Sequence, residues 1–460
     1  MDLIAELTGA LGDGAVLVGS AVGTHCRSDA SGSGLAQPRA LLHPNTIEAV
    51  SDALAICHKH GVTLVPQGGM TGLAGGANPR PDDIALSLDR LNRIEQIDPE
   101  SSTMTLQAGC ILQSAQEAAA AEGLLLPIDL GSRGSCQIGG LIATNAGGLR
   151  VIRHGMTRDN LIGLEVVLAN GTLLSNLGKM VKNNTGYDLR HLFCGSEGTL
   201  GVITRAVLRL RPLPTTKQTA LVALADYQDV VTLLSRARNE LHGLSAFEAM
   251  WRSYFSLSQS CEGLMLFDDP PPFAVILEVE SDAGPGPAAA FENFLGAALE
   301  DGILNNALIA QSDSEASRFW AVREGHRLYT ALPDVINLDV SMALGQIGSF
   351  ADACAQALST RYPVAHVSFF GHIGDSNLHV AVSAPEGGLD AAHVVDDIVY
   401  DLVRKFHGSV SAEHGIGTLK RAYLGHSRSN AEIAAMRAIK TALDPEGMMN
   451  PGKVLPELTS

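Results

Sequence analysis

Two histidines, His372 and His379, stand seven positions apart in the stretch GHIGDSNLH. Imidazole is the commonest metal-ligating side chain, and it is also the side chain that exchanges protons near neutral pH. The flanks VSFF (367–370) and VAVSA (380–384) are β-branched, aromatic and small, and Gly374-Asp375-Ser376-Asn377 is turn chemistry. The pattern predicts a hairpin with loop 374–377 that sets His372 directly opposite His379. Directly opposed residues have Cβ atoms about 4.5–5.5 Å apart, close enough for two rings to share one ion. The same pair also reads as two polar cross-strand histidines, and a third ligand has to decide between the two.

A second stretch, GSVSAEHGIGTLKR (408–421), offers that ligand. SVSAE is strand-like, and adjacent residues of an extended chain point to opposite sides. Glu413 with His372 and His379 would form a set of two histidines and one carboxylate, the donor set of catalytic zinc that keeps an open position. His414, on the other side of the chain, would be an unligated histidine beside the metal and a natural general base. A buried Glu–His pair in a turn is the alternative.

These residues need a scaffold, and the composition bounds it. At 460 residues the chain exceeds a single core, so two or three domains are expected. A hydrophobic fraction of 46% is that of an ordinary globular protein. A net charge of −17 argues against a nucleic-acid partner, because phosphate contacts need a basic surface. The opening MDLIAELTGALGDGAVL has no basic region followed by an apolar run, and no stretch approaches about 18 uninterrupted apolar residues, so no signal peptide or transmembrane segment is expected. The seven cysteines (26, 57, 110, 136, 194, 261, 354) are odd in number and scattered, with no CxxC pair. That usage predicts a cytoplasmic protein with neither a disulfide framework nor a cysteine zinc site.

Glycine divides the chain. Dense clusters occur at 68–76, 131–148 and 195–201, and RLRPLPTTK (209–217) marks a Pro-rich exit. The domains predicted are 1–213 and 214–460. Strands such as FAVILEVES (273–281) and IALSLDRL mix irregularly with helical patterns, which predicts an α+β fold rather than a doubly wound parallel sheet. A helix opened by a capping box at Asn45 and Glu48 and closed near Gly61 leads into the strand VTLVP and then QGGMTGLAGGANP. Those glycines fit no G-x-G-x-x-G register. A neutral, Gly-rich segment of this kind makes a backbone-lined nest suited to pyrophosphate, against the alternative of a surface loop. DLGSRGSCQIGGLIATNAGGLRVIRHG (129–155) suggests backbone packed close against something flat or extended, and CGSEGTLGVIT (194–204) a further wall of the same pocket. Together they favour a large nucleotide cofactor. The G-x-G-x-x-A at Gly284, Gly286 and Ala289 is a decoy, because Pro285 and Pro287 remove two backbone donors.

VPQGGMTGLAGG, DLGSRGSCQIGGLIATNAGG, KNNTGYDLRHLFCGSEGTLGVIT, FFGHIGDSNLH, SAEHGIG and NPGK, in that order, resemble the FAD-dependent D-2-hydroxyacid dehydrogenases. These are flavoproteins of the vanillyl-alcohol-oxidase type that act on D-lactate, glycolate or D-2-hydroxyglutarate. The resemblance implies a two-subdomain PCMH-type FAD-binding domain and a C-terminal substrate domain with an antiparallel sheet flanked by helices. It also implies that the last helices, 415–460, pack back toward the FAD domain.

The FAD contacts it implies are Pro66, Gly68, Gly69, Met70, Thr71, Gly72 and Leu73, then Pro127, Leu130, Gly131, Ser132, Gly134, Ser135, Ile138, Gly139, Gly140, Thr144, Asn145, Ala146 and Gly147. Glu197, Gly198, Gly201, Val202, Ile203 and Asn450 complete them. Met70 stands where some relatives carry a flavin-linking histidine, so FAD would be noncovalent. The resemblance places zinc or manganese on His372, His379 and Glu413, and gives His414 the role of base. Arg323 would grip the α-carboxylate bidentately, or else serve as a surface partner of Glu324. Asn377 would reach the substrate, or else support the turn.

D-2-hydroxyglutarate enzymes carry a lysine two residues before the Asp of a D-x-S strand. INLDVS (336–341) has Asn337 there, whereas Arg327 stands where those relatives have an uncharged residue. Arg327 could therefore anchor a second carboxylate, with D-lactate as the other substrate class. The reaction implied is oxidation to the 2-oxoacid by hydride transfer to flavin N5. The acceptor would be separate, an electron-transfer flavoprotein, a quinone or a cytochrome, with a homodimer left open. The rivals are a flavoprotein oxidase using O2, a mononuclear iron dioxygenase and a nucleotide-binding regulatory module.

Overall fold

Residues 2–281 and 286–457 are described in a computed structural model of the chain. The chain sorts into two units. The first comprises residues 1–148, 155–213 and 413–460, and the second residues 149–154 and 214–412.

In the first unit, short apolar segments pair into two larger sheets, beside a two-stranded ladder of Leu124–Leu125 with Arg211–Pro212. Val16–Val18, Ala40–Leu42, Ile84–Ser87 and Leu64–Gln67 lie side by side in that order, with parallel pairing among the last three. Ile94–Asp98, Thr103–Gln107, Val202–Arg209, Leu161–Val167 and Leu173–Asn176 form an antiparallel sheet. The helix Ile47–Lys59 follows the 3.6-residue apolar period and buries Val50, Ala53, Leu54 and Cys57. Its cap is Thr46, one residue later than the predicted Asn45: the Thr46 hydroxyl accepts the Ala49 N–H at 3.1 Å. Threonine ranks just below asparagine as a cap, and such a cap is worth about 1 kcal/mol. Met448 and Met449 from the end of the chain are buried in this core, where Leu64 N–H donates to Met448 O at 2.9 Å.

The second unit is built on one antiparallel sheet, seven-stranded among the described residues. Its order is Asn306–Ile309, Thr216–Leu224, Phe273–Ser281, Leu244–Trp251, His366–Gly371, Asn377–Ser383, Ile336–Ser341. The predicted strand FAVILEVES is found over the same residues, and the fold is α+β as expected. The decoy falls at Gly286–Glu300, which is helical; Gly284 and Pro285 lie outside the described residues.

The six residues Leu149–His154 belong to this unit although they come from the second glycine-rich stretch. Two arginines fasten them. Arg150 forms an ion pair with Glu278, which is wholly buried, and Arg153 donates to the carbonyls of Gly243 and Glu280. Glu278 also accepts from Thr219 Oγ1 at 2.8 Å and Trp320 Nε1 at 3.1 Å, which offsets the cost of burying its charge.

Candidate active site

In the first unit the three glycine clusters lock together through backbone. The loop after Leu64–Gln67 passes so close to the second cluster that a Cβ on Gly69 would sit 2.0 Å from Ser135 O. Met70, next to it, has φ +55°, a left-handed conformation that a methionine holds only when its surroundings fix it. The helix Ile138–Thr144 ends in a left-handed Asn145. Gly195 N–H donates to Ile142 O at 2.9 Å and Glu197 N–H to Ala143 O at 2.8 Å, so the third cluster is laced to the second. Asn450 joins first and third: its Nδ2 donates to Gly76 O at 2.9 Å and Glu197 O at 2.7 Å.

This cradle has polar groups left over. Gln137 Oε1, 3.4 Å from where a Gly68 Cβ would be, is buried without a hydrogen-bond partner, and so is Asn450 Oδ1. A nucleotide cofactor with hydroxyl and amide donors fits such acceptors. Pro66, Leu73, Pro127, Leu130, Gly131, Ser132, Gly134, Ile138, Gly139, Gly140, Thr144, Ala146, Gly147, Gly198, Gly201, Val202 and Ile203 lie in or beside these same segments.

The loop carrying Glu413 and His414 also belongs to this unit. Of SVSAE only Glu413 falls in this unit, Ser409–Ala412 belonging to the second, and the segment is not a strand: among the described residues it forms only an isolated bridge, Ser341 to Ser409. His407, Gly415 and Gly417 all have positive φ and break extended pairing on both sides. Strand alternation therefore does not direct Glu413 and His414. Both are half-buried, and Glu413 Oε1 accepts the Gly148 N–H at 3.1 Å. The half-buried Glu197 accepts Ile416 N–H and Gly417 N–H, each at 2.7 Å. Burial raises the Glu197 carboxyl above its ordinary value, partly opposed by those two amides. Thr418 N–H donates to Ala74 O at 2.9 Å, which fixes the same loop to the first glycine cluster.

The second unit holds the two histidines, and here the hairpin differs from expectation. Phe370, not His372, pairs with His379. The connection is a 3-10 turn, Ile373–Asp375, followed by a left-handed Ser376 at φ +71°. His372 belongs to that connection, and its carbonyl accepts from Asp375 N–H at 3.0 Å and Asn377 N–H at 3.2 Å. An offset of two keeps side chains on one face. The rings still meet edge to face, with centroids 5.3 Å apart and a nitrogen of one within 4.8 Å of a nitrogen of the other.

A carboxylate that the sequence reading missed organises this face. Glu248, in the strand Leu244–Trp251, is 1% exposed. Its Oε1 lies 2.8 Å from His372 Nδ1, and its Oε2 accepts from Arg323 Nε at 2.7 Å and forms an ion pair with Nη2 at 2.7 Å. Burial alone would raise Glu248; the charges of His372 and Arg323 outweigh it and hold the carboxyl down at about 2. Arg323 is thus no surface partner of Glu324. It is buried at the end of the helix Asp313–Glu324, whose last carbonyls are bound by Ser258 Oγ (to Val322 O, 2.6 Å) and Tyr254 Oη (to Arg323 O, 2.8 Å). Its guanidinium lies over Phe370, 4.8 Å from the ring, and Phe370 stacks on His379 at 4.9 Å.

Asn377, between the histidines, is 3% exposed, and neither amide atom of its side chain has a hydrogen-bond partner. An unpaired buried amide costs on the order of 1–3 kcal/mol, and its persistence beside two histidines points to a ligand. Arg327 is exposed, with Nε 3.5 Å from Glu262. The signal that could have found Glu248 is its charge inside LSAFEAMW, a strand otherwise apolar but for one serine. Asp339 of INLDVS is similar: it pairs in register with His379 and accepts Ala412 N–H at 2.9 Å.

The FAD-linked fold is borne out by known proteins. Residues 38–176 match a family of FAD binding domains, and residues 213–454 match the C-terminal domain of FAD linked oxidases. Superposition on p-cresol methylhydroxylase with substrate bound gives a TM-score of 0.78 at 17% identity, over 100% of this chain and 97% of that one. An alkyldihydroxyacetonephosphate synthase gives 0.75 at 17%, over 98% and 85%. The chain is therefore a two-domain flavoprotein and an FAD-linked oxidoreductase.

Sequence relatives narrow the class. A D-2-hydroxyglutarate dehydrogenase of Xanthomonas citri pv. viticola is 39% identical over 91% of this chain and 89% of its own length. The mitochondrial D-2-hydroxyglutarate dehydrogenase of Bos taurus is 37% identical over 91% and 77%. A putative mitochondrial D-lactate dehydrogenase of Schizosaccharomyces pombe is 36% identical over 90% and 81%. The chain belongs to the FAD-dependent D-2-hydroxyacid dehydrogenase family. No helix among the described residues is long and apolar enough to cross a membrane.

Proposed function

We propose that this protein oxidises a D-2-hydroxyacid to the 2-oxoacid, with D-2-hydroxyglutarate the first candidate substrate and D-lactate the second. The names of the relatives support that order. The observation that carries the reading is the buried, unpaired Asn377 amide between two histidines, on a face where Arg323 is fixed by Glu248. A small carboxylate bearing a hydroxyl supplies the acceptor and donor that the amide lacks.

His372, His379 and Glu413 are the donors we assign to a divalent ion, zinc or manganese. Two histidines and a carboxylate suit either. Asp339, opposite His379, holds the amide of Ala412, and Glu413 is the next residue of the chain. Such an ion would lower the pKa of a bound hydroxyl, and FAD, when bound, accepts the α-hydrogen as hydride at N5. His414 takes the hydroxyl proton. Arg323 provides positive charge for the α-carboxylate, tempered by the Glu248 carboxylate on its Nε–Nη2 edge. Arg327, exposed and only weakly held by Glu262, is the candidate for a distal carboxylate. Met70 in the first loop supports noncovalent FAD. We place the protein in the cytoplasm, passing electrons to a separate flavoprotein, quinone or cytochrome. Its seven free cysteines, six of them buried, fit a reducing compartment.

Anaerobic bleaching of the visible flavin band by a panel of D- and L-2-hydroxyacids, with and without EDTA, tests this. Fast bleaching by one D-acid, lost with EDTA and restored by zinc or manganese, is expected. Bleaching by no hydroxyacid would overturn the reading.

A further inference from the structure

His372 has two ring nitrogens, and only one can face a ligand while the other is held from behind. The holder is Glu248. An ionised carboxylate only accepts hydrogen bonds, so an Oε1 lying 2.8 Å from Nδ1 requires the proton to be on Nδ1. When the ring is neutral, its lone pair is then on Nε2. The second oxygen of the same carboxylate accepts the Nε–H of Arg323 and pairs with the charge at Nη2, which keeps it ionised and holds its orientation. Arg323 in turn lies over Phe370, the ring that stacks on His379. One buried side chain thus touches the backs of two groups directly and reaches the third through a stacked ring.

We propose that Glu248 is the positioning residue of this centre: it fixes His372 as the Nδ1–H tautomer, so that Nε2 presents its lone pair to the ligand, and it sets the plane of Arg323. The metal-affinity part of this inference rests on the reading of His372 as a metal donor, whereas the tautomer part does not. An outer partner of this kind is worth about 10- to 100-fold in metal affinity.

Glu248→Gln is the informative variant, being nearly isosteric. A glutamine can still accept from Arg323 through its oxygen, but it then offers His372 an N–H. Nδ1 must become the acceptor and the proton moves to Nε2, where it blocks a ligand. Flavin-loaded, EDTA-stripped protein labelled with 15N-histidine would be examined by ring 15N–1H correlation. The His372 signals would be assigned by their loss in His372→Gln. Expected are Nδ1–H in the wild type and Nε2–H in Glu248→Gln, with flavin content unchanged. Zinc and manganese titrations of the same samples by calorimetry should show about 10- to 100-fold weaker binding in the variant.

A wild-type His372 protonated on Nε2 overturns the proposal whatever the metal does. So does a Glu248→Gln protein that binds metal as tightly as the wild type. If the wild type binds neither metal while His372 shows the Nδ1–H form, the metal reading fails and the tautomer assignment stands. Should Glu248→Gln fail to fold, Glu248→Asp serves. It keeps an acceptor one methylene further back, and metal affinity equal to wild type would overturn the positioning role.

Discussion

Glu197 Oε1 lies 2.7 Å from the backbone nitrogen of Ile416. With the bond from its other oxygen to Gly417, this carboxylate holds the loop that carries His414 against the third glycine cluster. Each amide bonded to a carboxylate contributes about 1.5–3 kcal/mol. Glu197→Ala should therefore lower unfolding stability by about 3 kcal/mol, read by urea denaturation. Glu197→Gln keeps one acceptor but turns an N–H toward the other backbone donor, and should lose at least half of that. Equal midpoints for wild type and Glu197→Ala would show that the clamp contributes nothing.

Asp339 is wholly buried and accepts Ala412 N–H and Ser411 Oγ. Asp339→Ala removes the anchor immediately before Glu413. Flavin content should stay at wild-type level while the rate of flavin reduction falls at least about 10-fold, the cost of roughly 1.4 kcal/mol of lost positioning. An unchanged reduction rate would release Asp339 from any part in the site.

His414→Ala should leave FAD bound and abolish most of the flavin reduction, since general bases contribute about 10²–10⁴-fold. Reduction at the wild-type rate, measured by anaerobic stopped flow, would refute the assignment of His414 as base.

Lys453, in the NPGK segment, is 5% exposed and donates to Asn78 O at 2.7 Å. Burial pushes its ammonium down to about 8 from 10.5. Between those values the unfolded chain keeps a proton that the folded chain has lost, so this group makes the protein more stable as pH rises through the window. The stability of wild type relative to Lys453→Met should therefore increase from pH 8 upward. A difference independent of pH would contradict it.

Six of the seven cysteines are buried, and desolvation raises the Cys57 and Cys354 thiols to about 12 and those of Cys110 and Cys194 to about 11. Almost none of these is thiolate near neutral pH. An aromatic disulfide reagent should label native protein once, at the half-buried Cys261, and seven times in denaturant. Rapid labelling of more than one thiol in the native state would show that the core opens.

Local chemistry was readable where it stayed local. FAVILEVES is the strand its β-branched run predicts: it pairs with a neighbour on each edge, and every residue after Phe273 is buried. The histidine hairpin was read correctly as a turn but two residues out of register, because a 3-10 turn and one left-handed serine consume residues that a two-fold loop would not. SVSAE looked extended by propensity, yet the positive φ angles of His407 and Gly415 override it. Glu248 escaped notice for a different reason. Its two partners lie 75 and 124 residues away, and no spacing rule connects them.

Leu149–His154 sits in one unit while its chain neighbours sit in the other. Its Arg150 neutralises a glutamate, Glu278, that is encoded 128 residues downstream. A gene fusion cut once at residue 213 would inherit the arginine from one parent and the buried carboxylate from the other. Any exchange of domains between such flavoproteins must therefore transplant two separate stretches of coding sequence, and a change at either partner favours a matching change at its mate.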